Sequence, residues 1–135
     1  ARSEFEICLK DPTYSQVHLA QFNLGLLEES EGNLAQAEAI YLKVVNSKQM
    51  PQAYYRLGQL ALNRGEANRA VDYLLPAVKV SPTYADAYFA LALAYERQGL
   101  NDEAAEAYGQ VVNLTPNTSR AIDAQKRVRR LLGFQ

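Results

Sequence analysis

Three glycines, Gly32, Gly65 and Gly99, recur 33 and 34 residues apart, and that interval constrains the fold more than any other feature of the chain. A period of this size marks helix-turn-helix units stacked side by side, none of which can bury its apolar face alone. The neighbours of the glycines repeat in phase. Seven residues before each stands a small residue, Gly25, Gly58 or Ala92, directly after Leu24, Leu57 or Leu91. Five residues after each comes Ala37, Ala70 or Ala104, and four further on a bulky residue, Tyr41, Leu74 or Tyr108. Ala20, Ala53, Ala87 and Ala121 open the units, the last of them incomplete, and Pro82 and Pro116 close the second and third.

Each position has a physical reason. Small residues at Gly25, Gly58 and Ala92, met by Ala37, Ala70 and Ala104, let two helices approach closely while the bulky residues fill the space beside them. Gly32, Gly65 and Gly99 suit left-handed caps where a helix stops. Asn33 and Asn101 are the expected N-caps of the helices that follow, with Asp102 and Glu103 near a positive helix end. Pro82 and Pro116 interrupt helices and mark the joints between units. The spacing predicts helices near 2–10, 14–31, 34–47, 52–64, 67–80, 84–98, 101–114 and 118–132. Along the last, Ala121, Gln125, Val128 and Leu132 recur at helical spacing and are expected to face inward.

Leu57-Gly58, Gly65, Ala70 and Pro82, and again Leu91-Ala92, Tyr95, Gly99, Ala104, Tyr108 and Pro116, resemble the tetratricopeptide repeat family over roughly His18 to Thr118. Gln21 departs from an aromatic the family usually carries, and the first unit ends Gln49-Met50-Pro51 without the usual closing proline. The resemblance implies an all-α solenoid of antiparallel helical hairpins in one domain, 1–135. Its units would be a partial helix of a preceding hairpin (1–13), three repeats (18–50, 51–84, 85–118) and a capping helix (119–135). Gln125 and Lys126 take the place of the leucine-glycine pair in the cap, so no further hairpin is expected to pack on it.

Composition narrows the function. A net charge of −1 supplies no field that would attract nucleic acid or an anionic membrane. No apolar run approaches the about 18 residues needed to span a bilayer. Cys8 is the only cysteine and His18 the only histidine, so neither a structural zinc site nor a catalytic triad can be assembled. Glu28, Glu29 and Glu31 read as a charged surface beside a turn, and Asn113-Leu114-Thr115 and Asn117-Thr118-Ser119 as capping and turn residues. The expected protein is a binding module: not an enzyme, with no cofactor and no metal. A lone cysteine fits the cytosol and does not exclude the periplasm. Because Ala1 is not Met and Arg2 to Lys10 reads as helix already under way, a piece of a longer protein is expected.

In the family, the first helix of each hairpin lines a concave groove. On that count the partner-binding stripe is Phe22, Leu26 and Glu29, then Tyr55, Gln59 and Leu62, then Phe89, Leu93 and Glu96, with Asn23, Arg56 and Arg97 beside it. An aromatic recurs in every unit as Phe22, Tyr55 and Phe89, either as anchors for a peptide or as hairpin packing. The expected partner is another protein or peptide. Family members that grip the carboxylate end of a chaperone tail use lysines, asparagines and an arginine; the matching places here hold Phe22, Leu26, Arg56, Asp86 and Ala90. Moving one unit along gives Tyr55, Gln59, Ala90, Arg120 and Ala124, so neither frame supplies that clamp. Arg120, Lys126, Arg127, Arg129 and Arg130 form a basic patch on the last helix, suited to an acidic protein partner or to a solvated cap, while nucleic acid is not expected. Two alternatives stand beside the groove. One is self-assembly through the ends of the stack into a homo-oligomer. The other is a role in pilus or secretin assembly, because Asp11-Pro12-Thr13-Tyr14 leading into Asn23-Leu24-Gly25-Leu26-Leu27 is similar to repeat lipoproteins that assist type IV pilus secretins.

Overall fold

The structure is a computed structural model that describes residues 14–133. The helix expected near 2–10, Cys8 and Asp11 to Thr13 lie outside the described residues. Among those described there is no strand, and seven helices follow one another: α1 (Tyr14–Ser30), α2 (Leu34–Ser47), α3 (Pro51–Asn63), α4 (Ala67–Val80), α5 (Ala85–Arg97), α6 (Asn101–Leu114) and α7 (Ser119–Leu132). Each boundary falls within one residue of the span read from the sequence.

The turn glycines act through one recurring device. Gly32, Gly65 and Gly99 have φ of 84°, 77° and 79°, the left-handed region. In each turn the N–H after the glycine reaches the carbonyl five residues back: Asn33 to Glu28 at 2.9 Å, Glu66 to Ala61 at 2.9 Å, Leu100 to Tyr95 at 3.0 Å. This closes the orphan carbonyls at the end of α1, α3 and α5 and reverses the chain. The expected asparagine caps are not what starts the next helices. Asn33 holds the N-cap position of α2 without a side-chain cap bond. Its amide instead donates to Glu28 Oε2 at 3.0 Å. Asn101 is already the first residue of α6, behind Leu100. Of α2 to α7, only α7 has a side-chain cap, from Thr118 Oγ1, which accepts from the Ala121 N–H. Asn117, with φ of 68°, makes the tight turn before it.

Helices α1 and α2, α3 and α4, and α5 and α6 pack as hairpins, and α7 packs on α6. Within each hairpin the small-against-bulky pairing is physical contact. A Cβ added at Gly25 would lie 2.5 Å from Cε1 of Tyr41, and one at Gly58 would lie 2.5 Å from Cγ of Leu74. Tyr41, Leu74 and Tyr108 are fully buried, as are Ala37, Ala70 and Ala104. The core is thus a chain of three apolar clusters, each running from one hairpin onto the helix that follows it. On α7 the inward stripe is Ala121, Ala124, Val128 and Leu131, which keeps Ala121 and Val128 of the stripe read from the sequence and replaces Gln125 and Leu132. Gln125 and Leu132 are exposed, because the helix turns a different edge to α6.

The two layers of the stack are not equivalent. The first helices α3 and α5 touch each other, whereas the second helices α4 and α6 barely meet. Closer approach on one side bends the stack toward that side. At this joint α3 and α5 form the inner wall and α4 and α6 the outer wall.

Candidate functional site

The inner wall is held together by arginines that reach back from one first helix to the one before. Arg56 of α3 lies 3.7 Å from Glu29 of α1. Arg97 of α5 donates from Nη1 to the backbone carbonyl of Leu62 in α3 at 2.7 Å. Arg130 of α7 donates to Glu96 of α5 at 3.2 Å, and Arg127 lies 3.8 Å from the same carboxylate. Glu29 and Glu96 are also tied to the second helices, accepting from the hydroxyls of Tyr41 at 2.8 Å and Tyr108 at 3.1 Å. Each of these carboxylates therefore links three helices. The middle repeat has Leu62 and Leu74 at the equivalent places, and there the arginine uses a backbone carbonyl instead.

The aromatic rungs differ in what they offer. Phe22 is half-buried, its ring centroid 5.7 Å from that of Tyr41. Tyr55 is half-buried 5.3 Å from the ring of Tyr84, and its hydroxyl accepts from Gln59 Nε2 at 2.6 Å. Phe89 is only 9% exposed, packed edge-on to Tyr108. The guanidiniums of Arg120 and Arg127 cover it, 4.8 and 5.9 Å from the ring centroid. Leu62 is 5% exposed and belongs to the core. Phe89 and Leu62 thus offer almost no surface, while Leu26, Leu93, Arg56 and Gln59 remain half-buried and Asn23 and Arg97 exposed.

The basic patch expected on the last helix divides by the helix's own geometry. Arg120 pairs with Asp86 at 2.8 Å and Arg127 with Asp123 at 3.3 Å, so with Arg130 these cations join the inner wall. Lys126 and Arg129 are exposed and take part in none of the ion pairs among the described residues. Asp123 stands 34 residues after Phe89 and so occupies the fourth rung. Continuing the repeat count through the cap would have found it. Tyr84 was missed because it sits in a joint, outside the positions that repeat.

Buried polar groups complete the electrostatics. Glu28, read from the sequence as surface, is buried, as is His18. Burial raises the hydroxyl pKa of Tyr108 to about 12, with Glu96 adding to the effect. Burial likewise raises Tyr84 to about 12, with Tyr55 and Asp86 adding to it. Tyr41 is pushed above its ordinary value by burial and by Glu29. No group of three or more metal-binding side chains occurs among the described residues, and no described helix is long and apolar enough to cross a membrane.

Tetratricopeptide repeat models match residues 55–119 and 19–49, between them most of the chain. The chain belongs to the tetratricopeptide repeat family. An uncharacterised protein of Methanocaldococcus jannaschii is 36% identical over 55 residues, 41% of this chain and 64% of that protein. The chain thus spans less than two thirds of that relative. Among solved structures, this tetratricopeptide repeat chain is similar to the MamA protein at 26% identity and a TM-score of 0.76, covering 98% of this chain and 75% of that one. It is also similar in fold to the first such domain of Spaghetti (RPAP3), bound in that structure to an HSP90 peptide (21% identity, 88% and 95% coverage, TM-score 0.81). The type III secretion translocator chaperone SycD of Yersinia enterocolitica shares the fold at 12% identity and a TM-score of 0.79, covering 87% of this chain and 85% of that one.

Proposed function

We propose that this chain is a protein-interaction scaffold whose inner wall receives an extended segment or a helix of a partner protein. The observation that carries the reading is the half-buried Tyr55 in the middle of that wall. Its ring is fixed by Tyr84 and its hydroxyl by Gln59, so a large rigid surface is presented at little entropic cost. Around it, half-buried Leu26 and Leu93 offer apolar contact, and Asn23, Arg56, Gln59 and Arg97 offer hydrogen bonds. The wall does nothing covalent; it positions a guest. The domain of Spaghetti (RPAP3) is bound to a peptide in its solved structure, which supports a peptide-sized guest for this fold. A carboxylate-terminated tail is not the guest proposed here. Phe22 and Leu26 carry no donors at the places where a clamp needs them, and Asp86, paired with Arg120, supplies none either.

A partner bound through low-micromolar contacts, about −8 kcal/mol, suits a surface of this kind. Tyr55→Ala and Gln59→Ala are expected to weaken a partner recovered by pull-down while leaving far-UV circular dichroism unchanged. Equal binding by both variants and the parent would remove the inner wall from consideration. A second reading, self-assembly through the ends, has in its favour Ile122 and Leu132, 50% and 43% exposed on α7. Light scattering across concentration separates the two. The likeness of Asp11 to Tyr14 and Asn23 to Leu27 to pilus lipoproteins rests on that stretch of one repeat, of which Asp11 to Thr13 lie outside the described residues, and nothing else supports it.

A further inference from the structure

Because α4 and α6 do not close on one another, the outer side of α5 lies open between them as a furrow. Tyr88, Leu91 and Tyr95 make its floor, Leu75 and Val78 one bank, and Glu103 and Glu106 the other. Leu75 is 44% exposed, although it stands in the middle of a packed stack. The furrow holds about 270 Å³ beside the two glutamates and continues past Val78 and Tyr88 toward Tyr54 and Pro76. The furrow is open to solvent along its length rather than enclosed, so it suits side chains of a protein rather than a buried cofactor.

Its charge is one-sided at the end beside α6, while Lys79 lines the continuation. No cation lines the stretch that holds Glu103 and Glu106. Neither glutamate takes part in an ion pair among the described residues. They are close enough to the floor for their charges, after burial, to help raise the pKa of the Tyr95 hydroxyl. An aromatic and aliphatic floor beside two uncompensated carboxylates favours one kind of side chain. The apolar stem of an arginine can lie along the tyrosine rings while its guanidinium reaches the carboxylates. An acidic segment would meet like charge from Glu103 and Glu106 with no cation beside them.

We propose that this outer furrow docks a basic, amphipathic helix of a partner protein, anchored by an arginine between Tyr95 and the Glu103–Glu106 pair. Leucine-type side chains of the same helix cover Leu75 and Val78. This surface lies on the opposite side of the stack from Tyr55, so it adds a second docking face to the inner wall and does not depend on it.

The test uses the full chain and a synthetic, end-capped helical peptide carrying arginine and leucine on one face. A matched peptide has glutamate for every arginine. Followed by amide chemical shifts, the basic peptide is expected to move Leu75, Tyr88, Tyr95 and Glu103, and the acidic peptide to move none of them. Joint Glu103→Lys and Glu106→Lys, both at exposed positions, should weaken binding about fivefold, as two exposed ion pairs of modest strength would. Leu75→Glu should weaken it further, while Tyr55→Ala should leave it unchanged. Equal binding of the two peptides, shifts confined to the inner wall, or no loss in the lysine variant would overturn the proposal. A concentration-dependent rise in mass that Leu75→Glu abolishes would assign the furrow to a second copy and overturn it as well.

Discussion

Replacing Gly58 by alanine puts the close approach of α3 and α4 to a direct test. The new Cβ would stand 2.5 Å from Cγ of Leu74, 2.7 Å from Cδ2 and 3.0 Å from Cδ1. Ordinary carbon contacts lie at about 3.5–4.0 Å, so either the helices part by roughly 1 Å or Leu74 leaves its rotamer. Leu74 is fully buried and has nowhere to go. Overpacking of this kind costs about 1–3 kcal/mol, offset by up to about 1 kcal/mol of helix propensity gained on removing a glycine. A net loss of about 1–2 kcal/mol is expected from urea unfolding. Gly109 in α6 is the internal control: a Cβ there meets nothing within 4 Å, so Gly109→Ala should stabilise by up to about 1 kcal/mol. The same chemical change thus has opposite signs in two helices. In a Leu74→Ala background the cost of Gly58→Ala should shrink, since the clashing atoms are gone. A neutral or stabilising Gly58→Ala in the parent chain would refute the small-against-bulky account of the hairpin.

Further outcomes follow from the turns, the inner wall and the buried hydroxyls. Gly65→Ala forces an alanine to φ of 77° with open space around it, so the cost, about 1–2 kcal/mol, is backbone strain alone and should be smaller for Gly65→Asn. Arg97→Met removes one of two donors to the Leu62 carbonyl, the other being the Gly65 N–H, so a loss of about 1 kcal/mol is expected together with faster hydrogen exchange at the end of α3. The pKa of Tyr108 is raised to about 12 in the folded chain against about 10 unfolded, so its hydroxyl favours folding fully below pH of about 10 and loses that contribution as pH rises toward 12. Unfolding free energies from denaturant titrations should therefore fall across that window by on the order of 2–3 kcal/mol, and Tyr108→Phe should flatten that part of the profile.

The helices and their joints were legible in the sequence because each is specified locally, by a glycine that caps, a proline that interrupts and an alanine that packs. The wall was only partly legible. A count along the repeat finds which residues face a given way, but not which neighbour covers them. Phe89 is in phase with Phe22 and Tyr55, yet Arg120 and Arg127 arrive from another helix and shield it. Leu62 follows the register of Glu29 and Glu96 but is apolar, so it sinks into the core instead of bridging helices. Asn33 had the right side chain for a cap, and Glu28 attracted it instead. The outer furrow leaves almost no periodic trace, because it depends on the spacing between two helices rather than on the residues of either.

That unequal spacing has a mechanical consequence. With α3 and α5 in contact and α4 and α6 apart, the joint behaves as a fulcrum set at the front of the molecule with a long lever at the back. A slight rocking of one hairpin on the next moves the outer helices further than the inner ones. Spreading the outer helices therefore costs fewer contacts than parting the inner ones.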